Sequence, residues 1–269
     1  MLKKLLKLKN FIKKFSSAIV AYSGGVDSSF LLYICKKVLG SNLLAVTATS
    51  ETYTKEELNQ AKKFTKKYKI KHIIIKTSEF KNKNFIKNTP NRCFYCKGEL
   101  FKKIEDIRKK LNYNVIFDGA NYNDLFDFRP GEKAKKLYSI VSPLKEVKLT
   151  KEEIRRLSKK FRLFTHNKFQ ISCLSSRIVF GEKITKEKIK KVYLAEKIIK
   201  KFWEKFFRVR LERNSLRIEI NKEDFKDFFN RVDVQDLVKK LKKLKFKYIT
   251  FDLEGYIPIG LRFINEKNL

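Results

Sequence analysis

The sequence predicts an α/β protein in which a parallel-sheet domain is followed by a smaller C-terminal α+β domain. Three observations carry this expectation. A short apolar run at residues 17–22 ends at Ser23-Gly24-Gly25 and flows into a helically spaced segment, 26–39, that stops at Gly40. Strand-like and helical stretches then alternate as far as Asp118-Gly119, the pattern of βαβ units. Beyond Phe164 the pattern changes to helices around two alternating, paired strands.

Taken in order, residues 1–15 set Leu2, Leu5, Leu6, Phe11 and Ile12 against many lysines and read as the opening helix of a globular domain. After the first strand and helix, residues 43–47 form a second strand. Thr54, with Glu57 three residues on, has the pattern of a capping box at the start of a helix. Residues 70–75 read as the third strand, and 112–117 lead into a fourth. The connections 78–91 and 121–136 are long and polar, which suits loops over an active site. Residues 165–183 look loop-like. A helix is expected over 185–206, strands over 207–212 and 215–220, a helix over 222–244 and a strand over 247–253. The expected domains are 1–164 and 165–269.

The chain has 269 residues, 43% of them hydrophobic, enough for one large core or two smaller ones. It has no run of eighteen apolar residues, and the opening stretch lacks the features of a signal peptide, so a cytoplasmic protein with no membrane partner is expected. A net charge of +35 invites a nucleic-acid reading. Yet the lysines spread over the whole chain, and abundant Lys, Asn, Ile and Phe beside scarce Gly and Pro is what AT-rich coding produces. Four cysteines, Cys35, Cys93, Cys96 and Cys173, are too few for a disulfide scaffold and point to metal or sulfur chemistry, or to core packing.

The segment Ser23-Gly24-Gly25-Val26-Asp27-Ser28 joins a strand to a helix and suits phosphate. Its glycines let backbone N–H groups approach an anion, the helix N-terminus adds a favourable dipole, and Ser23 and Ser28 bring hydroxyls. Asp27 is out of place beside phosphate until Mg²⁺ is added, for which a carboxylate is a natural ligand. The lysine of a Walker A loop is absent. Residues 21–28 resemble the PP-loop of ATP pyrophosphatases, a superfamily with an adenine nucleotide α-hydrolase-like fold that includes GMP synthetase, NAD synthetase and tRNA thiolation enzymes. The resemblance implies ATP and Mg²⁺ as cofactors and pyrophosphate as the leaving group when a substrate oxygen is adenylated. It also implies that Thr47 and Gly119 sit where relatives hold adenine through backbone contacts.

Cys93 and Cys96 stand on a C-x₂-C spacing at the start of a helix, where the N-terminus favours thiolate; the pair suits one metal ion or two corners of an iron–sulfur cluster, or else packs. Cys173 is the one further cysteine in a loop-like place, whereas Cys35 lies among Leu31, Leu32 and Ile34 and reads as core. Arg208 and Arg210 alternate on one strand face and, with Arg177, suit phosphate or carboxylate, although in so cationic a chain ordinary surface roles stand beside that reading.

A more specific resemblance covers nearly the whole chain. The hexapeptide at 23–28, Arg92-Cys93-x-x-Cys96-Lys97, Asp127-Phe128-Arg129-Pro130-Gly131, Cys173-Leu174-Ser175-Ser176-Arg177 and Phe180-Gly181 occur in the order seen in LarE-type sulfur transferases. That family adenylates the carboxylates of pyridinium-3,5-dicarboxylate mononucleotide and converts them to thiocarboxylates for the nickel-pincer nucleotide. Some members sacrifice a cysteine at the place of Cys173; others, with a C-x₂-C pair as well, resemble enzymes in which three cysteines hold a [4Fe–4S] cluster. The resemblance therefore implies Cys93, Cys96 and Cys173 as cluster ligands and Asp27, Cys173, Ser176 and Arg177 as catalytic residues. It further implies Arg208, Arg210 and Glu196 at the substrate, with Glu219 and Asp227 as possible metal ligands. The expected partners are a small-molecule nucleotide substrate, a sulfide source and further copies of the chain. A tRNA thiolase using an iron–sulfur cluster is the alternative, and a non-enzymatic nucleotide or cluster module makes poor use of Asp27. One departure stands out: Gly255-Tyr256 is followed by Ile257, where the family usually has a basic residue.

Overall fold

A computed structural model of the chain describes residues 1–126, 130–169 and 172–258. They fall into two compact units, one formed by Met1–Lys81 with Cys93–Ile171 and the other by Asn82–Arg92 with Ser172–Leu269.

The first unit is built on a four-stranded, fully parallel sheet. Its strands are β1 (Ala18–Ala21), β2 (Leu43–Thr49), β3 (Lys71–Lys76) and β4 (Val115–Phe117), in the order β3-β2-β1-β4. Successive side chains point to opposite faces of such a sheet. Ala18, Val20, Leu43, Ala45, Val115 and Phe117 accordingly share one core with residues of α1 (Leu2–Ile12), α2 (Val26–Leu39), α3 (Lys55–Lys67) and α8 (Lys151–Lys160). Ile19, Leu44, Val46 and Ile116 face the other way, with Ile104 of α5 (Arg92–Lys110). Burial on both faces explains why these strands read as continuous apolar runs.

The capping box expected at Thr54 is present: Glu57 N donates to Thr54 Oγ1 at 3.2 Å, and Thr54 N donates to Glu57 Oε2 at 3.0 Å. The connections expected to be loops carry short helices instead. A 3₁₀ turn at Glu79–Lys81 precedes α4 (Lys83–Ile86), capped by Asn82. Another at Tyr122–Phe126 precedes α6 (Gly131–Leu137) and α7 (Pro143–Glu146). Local signals start two of these helices, the Asn82 side-chain cap for α4 and proline in the first turn for α7, where apolar periodicity is too short to announce them.

At the end of β4 lies a buried ionic knot. Lys135 Nζ stands 2.6 Å from Asp118 Oδ2 and 2.6 Å from Glu132 Oε1, Lys145 Nζ donates to Glu132 at 3.0 Å, and Ser142 Oγ donates to Asp118 at 2.6 Å. Burial pushes the Glu132 carboxyl up, but Lys135 and Lys145 outweigh it and hold it down at about 2, against an ordinary value of 4.5. A depressed carboxyl stabilises the fold above its unfolded value, and that contribution fades as pH falls from 4.5 towards 2. Glu132→Gln is therefore expected to cost about 2 kcal/mol in urea unfolding at pH 7, with the gap between variant and parent closing at pH 2. An equal gap at both pH values would refute the electrostatic account.

The second unit holds a three-stranded sheet, β5 (Phe207–Glu212), β6 (Ser215–Ile220) and β7 (Tyr248–Phe251), with β5–β6 antiparallel and β6–β7 parallel. Ile189, Val192, Ala195 and Ile199 of α9 (Lys186–Ile199) are buried, as are Val209, Leu211, Leu216, Ile218 and Ile220 of the strands. The helix expected over 222–244 is two, α10 (Phe225–Arg231) and α11 (Val234–Lys242). Val232 is extended, and Asp233 restarts the helix by accepting a hydrogen bond from Asp236 N. α9 ends at Ile199, short of the expected 206.

The expected boundary near residue 164 differs from this division in two ways. Residues 165–169 stay with the first unit, where Arg155 donates to His166 O at 2.8 Å and Lys168 O at 2.7 Å, and the Phe64 and Phe164 rings meet. Residues Asn82–Arg92 join the second, where Gly181 N donates to Asn88 O and Ile184 N to Ile86 O. Neither attachment leaves a trace in composition. Among the described residues no helix is long and apolar enough to cross a membrane.

Candidate active site

The strand order reverses between β1 and β4: the chain leaves β1 for β2 and β3 on one flank, and β4 then pairs with the other edge of β1. Ligands of open α/β sheets settle at the carboxyl ends of strands at such a point. A cleft of about 280 Å³ opens there, lined among others by Ser23, Asp27, Ser28, Lys97, Gly119 and Arg155.

The hexapeptide forms the floor of this cleft. Gly24 has φ +73°, a conformation that favours glycine, and a Cβ there would meet Tyr53 and Ala61 at 3.5 Å. α2 begins at Val26 with Gly25 as its N-cap and no side-chain cap, so its first N–H groups are left for a ligand. Ser23 and Ser28 share a hydroxyl hydrogen bond of 3.0 Å. Gly119 lies against the same helix end: a Cβ would stand 2.8 Å from Ser28 N, so only glycine permits this approach. Thr47 is buried and its hydroxyl is spent within the fold, donating to Tyr22 O at 2.8 Å and meeting His72 Nε2 at 2.8 Å.

Asp27 stands in the first turn of α2. Asn121 Nδ2 donates to its Oδ2 at 3.2 Å, while Oδ1 is buried with no hydrogen-bond partner. Burial raises its pKa, opposed by the nearby Lys151 charge, the Asn121 bond and Arg155. A buried carboxylate oxygen without a donor is costly, and a cation such as Mg²⁺ satisfies it. The donor set fits.

Cys93 and Cys96 lie in the first turns of α5, both half-buried, and Cys35 is fully buried; none is in a disulfide. Cys96 Sγ lies 3.7 Å from Glu79 Oε1, which also accepts from Thr77 Oγ1 at 2.9 Å, and Glu79 Oε2 is buried without a partner. Among the described residues no group of three or more His, Cys, Asp or Glu side chains is arranged to hold a metal ion. Of the motif at 127–131, residues 127–129 lie outside the described residues.

In the second unit Cys173 is exposed and precedes a 3₁₀ turn at Leu174–Arg177. Arg177 is buried; its Nε donates to Glu196 Oε1 at 2.7 Å and its Nη1 to Ser172 O at 2.6 Å. Ser176 Oγ donates to Cys173 O at 2.8 Å. Arg210 Nε donates to Glu219 Oε2 at 3.0 Å, its Nη1 to Ser176 O at 2.8 Å, and its Nη2 to Ile257 O at 3.3 Å. Arg208 lies 4.7 Å from the Phe206 ring centroid, and burial with Arg177 nearby lowers its pKa to about 10. Ser176, Arg177, Glu196, Arg208, Arg210 and Glu219 thus form one neighbourhood. Asp227 stands apart from it, paired on the surface with Lys205 at 2.8 Å and Arg231 at 3.3 Å. Glu219 is wholly buried and engaged by Arg210 and Arg217. Ile257, where a basic residue is expected after Tyr256, accepts a hydrogen bond from Arg210 through its carbonyl.

Comparison with known proteins agrees with this geometry. An NAD synthase family model matches residues 2–113. The chain is 32% identical to the pyridinium-3,5-bisthiocarboxylic acid mononucleotide synthase of Lactiplantibacillus plantarum, over 91% of this chain and 88% of that protein. The chain belongs to the LarE family of PP-loop proteins. Membership makes it an ATP-using enzyme of the ATP-dependent sulfur transferase group. The chain is also 39% identical to an uncharacterized protein of Synechocystis, over 94% of both chains. A more distant relative is a glutamine-hydrolyzing GMP synthase component from Archaeoglobus fulgidus, 29% identical over 69% of this chain and 65% of that protein. Asn121, Lys151 and Arg155 complete the cleft and escaped sequence reasoning: Asn121 follows Asp118-Gly119 closely enough to be suspected, whereas two more cations in this chain carry no signal.

Proposed function

We propose that the protein adenylates a carboxylate of pyridinium-3,5-dicarboxylate mononucleotide with ATP and replaces it by a thiocarboxylate. The observation that carries the ATP half is Asp27, whose buried, partnerless oxygen sits at the uncapped start of α2 in the cleft. The substrate carboxylate oxygen attacks the α-phosphorus, and the bond to the β-phosphate breaks. Ser23, Ser28 and the loop amides hold the departing pyrophosphate, and Asp27 holds Mg²⁺, which supplies charge neutralisation there. Adenine lies against the backbone at Thr47 and Gly119. A sulfur nucleophile then attacks the acyl carbon and AMP leaves.

Nucleotide activation belongs to the first unit in this reading, and substrate recognition to the second. Arg177, Arg208 and Arg210 orient phosphate or carboxylate, with Glu196 fixing Arg177. Ser176 steadies the Cys173 backbone. Cys93, Cys96 and Cys173 hold a [4Fe–4S] cluster; the two thiols at the start of α5 suit two of its corners. Bound there, the cluster supplies an iron position able to carry transferable sulfur. A separate sulfide source, self-association of the chain and a cytoplasmic setting complete the proposal, and Glu219 and Asp227 remain candidate metal ligands.

The test is anaerobic turnover with ATP, Mg²⁺, sulfide and the pyridinium dicarboxylate. Pyrophosphate and AMP are expected, with an acceptor heavier by about 16 Da for each oxygen replaced by sulfur. ADP and phosphate would sink the pyrophosphatase assignment. Sulfur found on bulk tRNA, with the pyridinium compound untouched, would favour a tRNA thiolase.

A further inference from the structure

Two side chains from outside the hexapeptide grip its backbone. Tyr53 OH donates to Ser23 O at 2.9 Å, and Lys168 Nζ donates to Gly24 O at 2.9 Å. They come from positions 30 residues and 144 residues away in sequence. The peptides concerned are trans, since no cis peptide bond occurs among the described residues. In a planar trans peptide the C=O and the following N–H point in opposite directions. Fixing Ser23 O therefore fixes the direction of Gly24 N–H, and fixing Gly24 O fixes that of Gly25 N–H, which makes only a long bond, 3.4 Å, to Ser23 Oγ of the loop's own hydroxyl pair. Both N–H groups belong to the stretch that leads into the uncapped start of α2. Glycine at position 24, with φ +73°, gives the loop freedom that has to be removed before an anion can meet aligned donors.

We propose that Lys168 and Tyr53 form an outer clamp that orients the loop amides towards a pyrophosphate group, with Lys168 supplying from behind the peptide the positive charge that the loop's own sequence lacks. The proposal deepens the ATP reading above and rests on it. A charged donor on a carbonyl polarises the whole peptide and strengthens the opposite N–H as a donor. Lys168 is itself held, because Arg155 binds its carbonyl at 2.7 Å. Burial pushes the Tyr53 phenol up, so it remains a donor. Both are positioning residues: they act on the anion through the loop.

The experiment measures the affinity of the full chain for inorganic pyrophosphate with Mg²⁺ and, separately, for AMP, by titration calorimetry. Lys168→Met is expected to weaken pyrophosphate binding by about tenfold or more, and Tyr53→Phe by about threefold to tenfold. AMP affinity and the thermal midpoint should stay close to those of the parent, and Lys168→Arg should recover most of the lost pyrophosphate affinity. Pyrophosphate binding by Lys168→Met within twofold of the parent overturns the clamp, as does a parallel loss of AMP affinity and thermal midpoint, which marks a merely structural contact. A parent protein that binds AMP normally but no pyrophosphate overturns the clamp alone. A parent that binds neither overturns the ATP reading with it.

Discussion

Asp27→Asn is expected to slow pyrophosphate release by about 10²–10³-fold while leaving the fold intact. The side chain keeps its size, and Asn121 still has an oxygen to bind in place of the Oδ2 it now meets at 3.2 Å. What disappears is the negative charge whose second oxygen is buried without a partner. Relieving a buried, unsatisfied charge also predicts that the variant melts no lower than the parent. Lost activity with undiminished stability is the signature of a ligand-holding carboxylate. A drop in both would assign Asp27 to the structure, and unchanged pyrophosphate release would remove the metal from this position.

The second large effect concerns sulfur. Anaerobic reconstitution is expected to give a brown protein with about four irons per chain. Replacing Cys93, Cys96 or Cys173 by Ala should abolish both colour and sulfur transfer, yet leave pyrophosphate release from the loop at Ser23–Ser28 working. Cys35→Ala should leave iron and turnover untouched, because that thiol packs in the core with no exposed surface. Sacrifice of Cys173 alone predicts a different pattern: one sulfur per chain, a mass loss of about 34 Da and no need for Cys93 or Cys96. An iron-free, fully active Cys93→Ala protein would establish that alternative.

How much of this was legible from residues alone depended on the range of the interactions. β1, the hexapeptide and α2 could be read because apolar period, glycines and helix signals coincide within about twenty residues. The capping box at Thr54 was equally local, and its twin at Thr150, where Glu153 closes the same reciprocal pair, follows the same rule. The short helices at Lys83–Ile86 and Gly131–Leu137 hid because four to seven residues cannot display a periodic face. The site shows the same division. Asp27 and the serines announced themselves through their motif, whereas Asn121, Tyr53 and Lys168 reach the loop from elsewhere in the chain, and nothing distinguishes Lys168 from dozens of other cations. Arg210 was read as a ligand-facing cation, but much of its donor capacity is committed to Glu219, Ser176 and Ile257. A charge count cannot reveal such internal commitments.

The detour of Asn82–Arg92 into the second unit has a consequence for how the molecule is made and broken. Arg92 donates to Asn88 Oδ1 at 2.6 Å and to Ser175 O at 2.9 Å, and Asn88 Nδ2 donates to Val179 O at 2.6 Å. On a ribosome these eleven residues emerge some eighty positions before the carbonyls that receive them, so buried donors wait for partners not yet synthesised. A fragment starting at Ser172 would lack these donors and leave the carbonyls of Ser175, Ile178 and Val179 to solvent, so it is expected to be less stable than the same residues in the full chain. A protease nick between residues 171 and 172 would likewise fail to separate the halves, because the polypeptide still passes from one to the other and back at 81–82 and 92–93. The insertion works as a stitch, tying the cysteine-bearing turn to a segment made some eighty residues earlier.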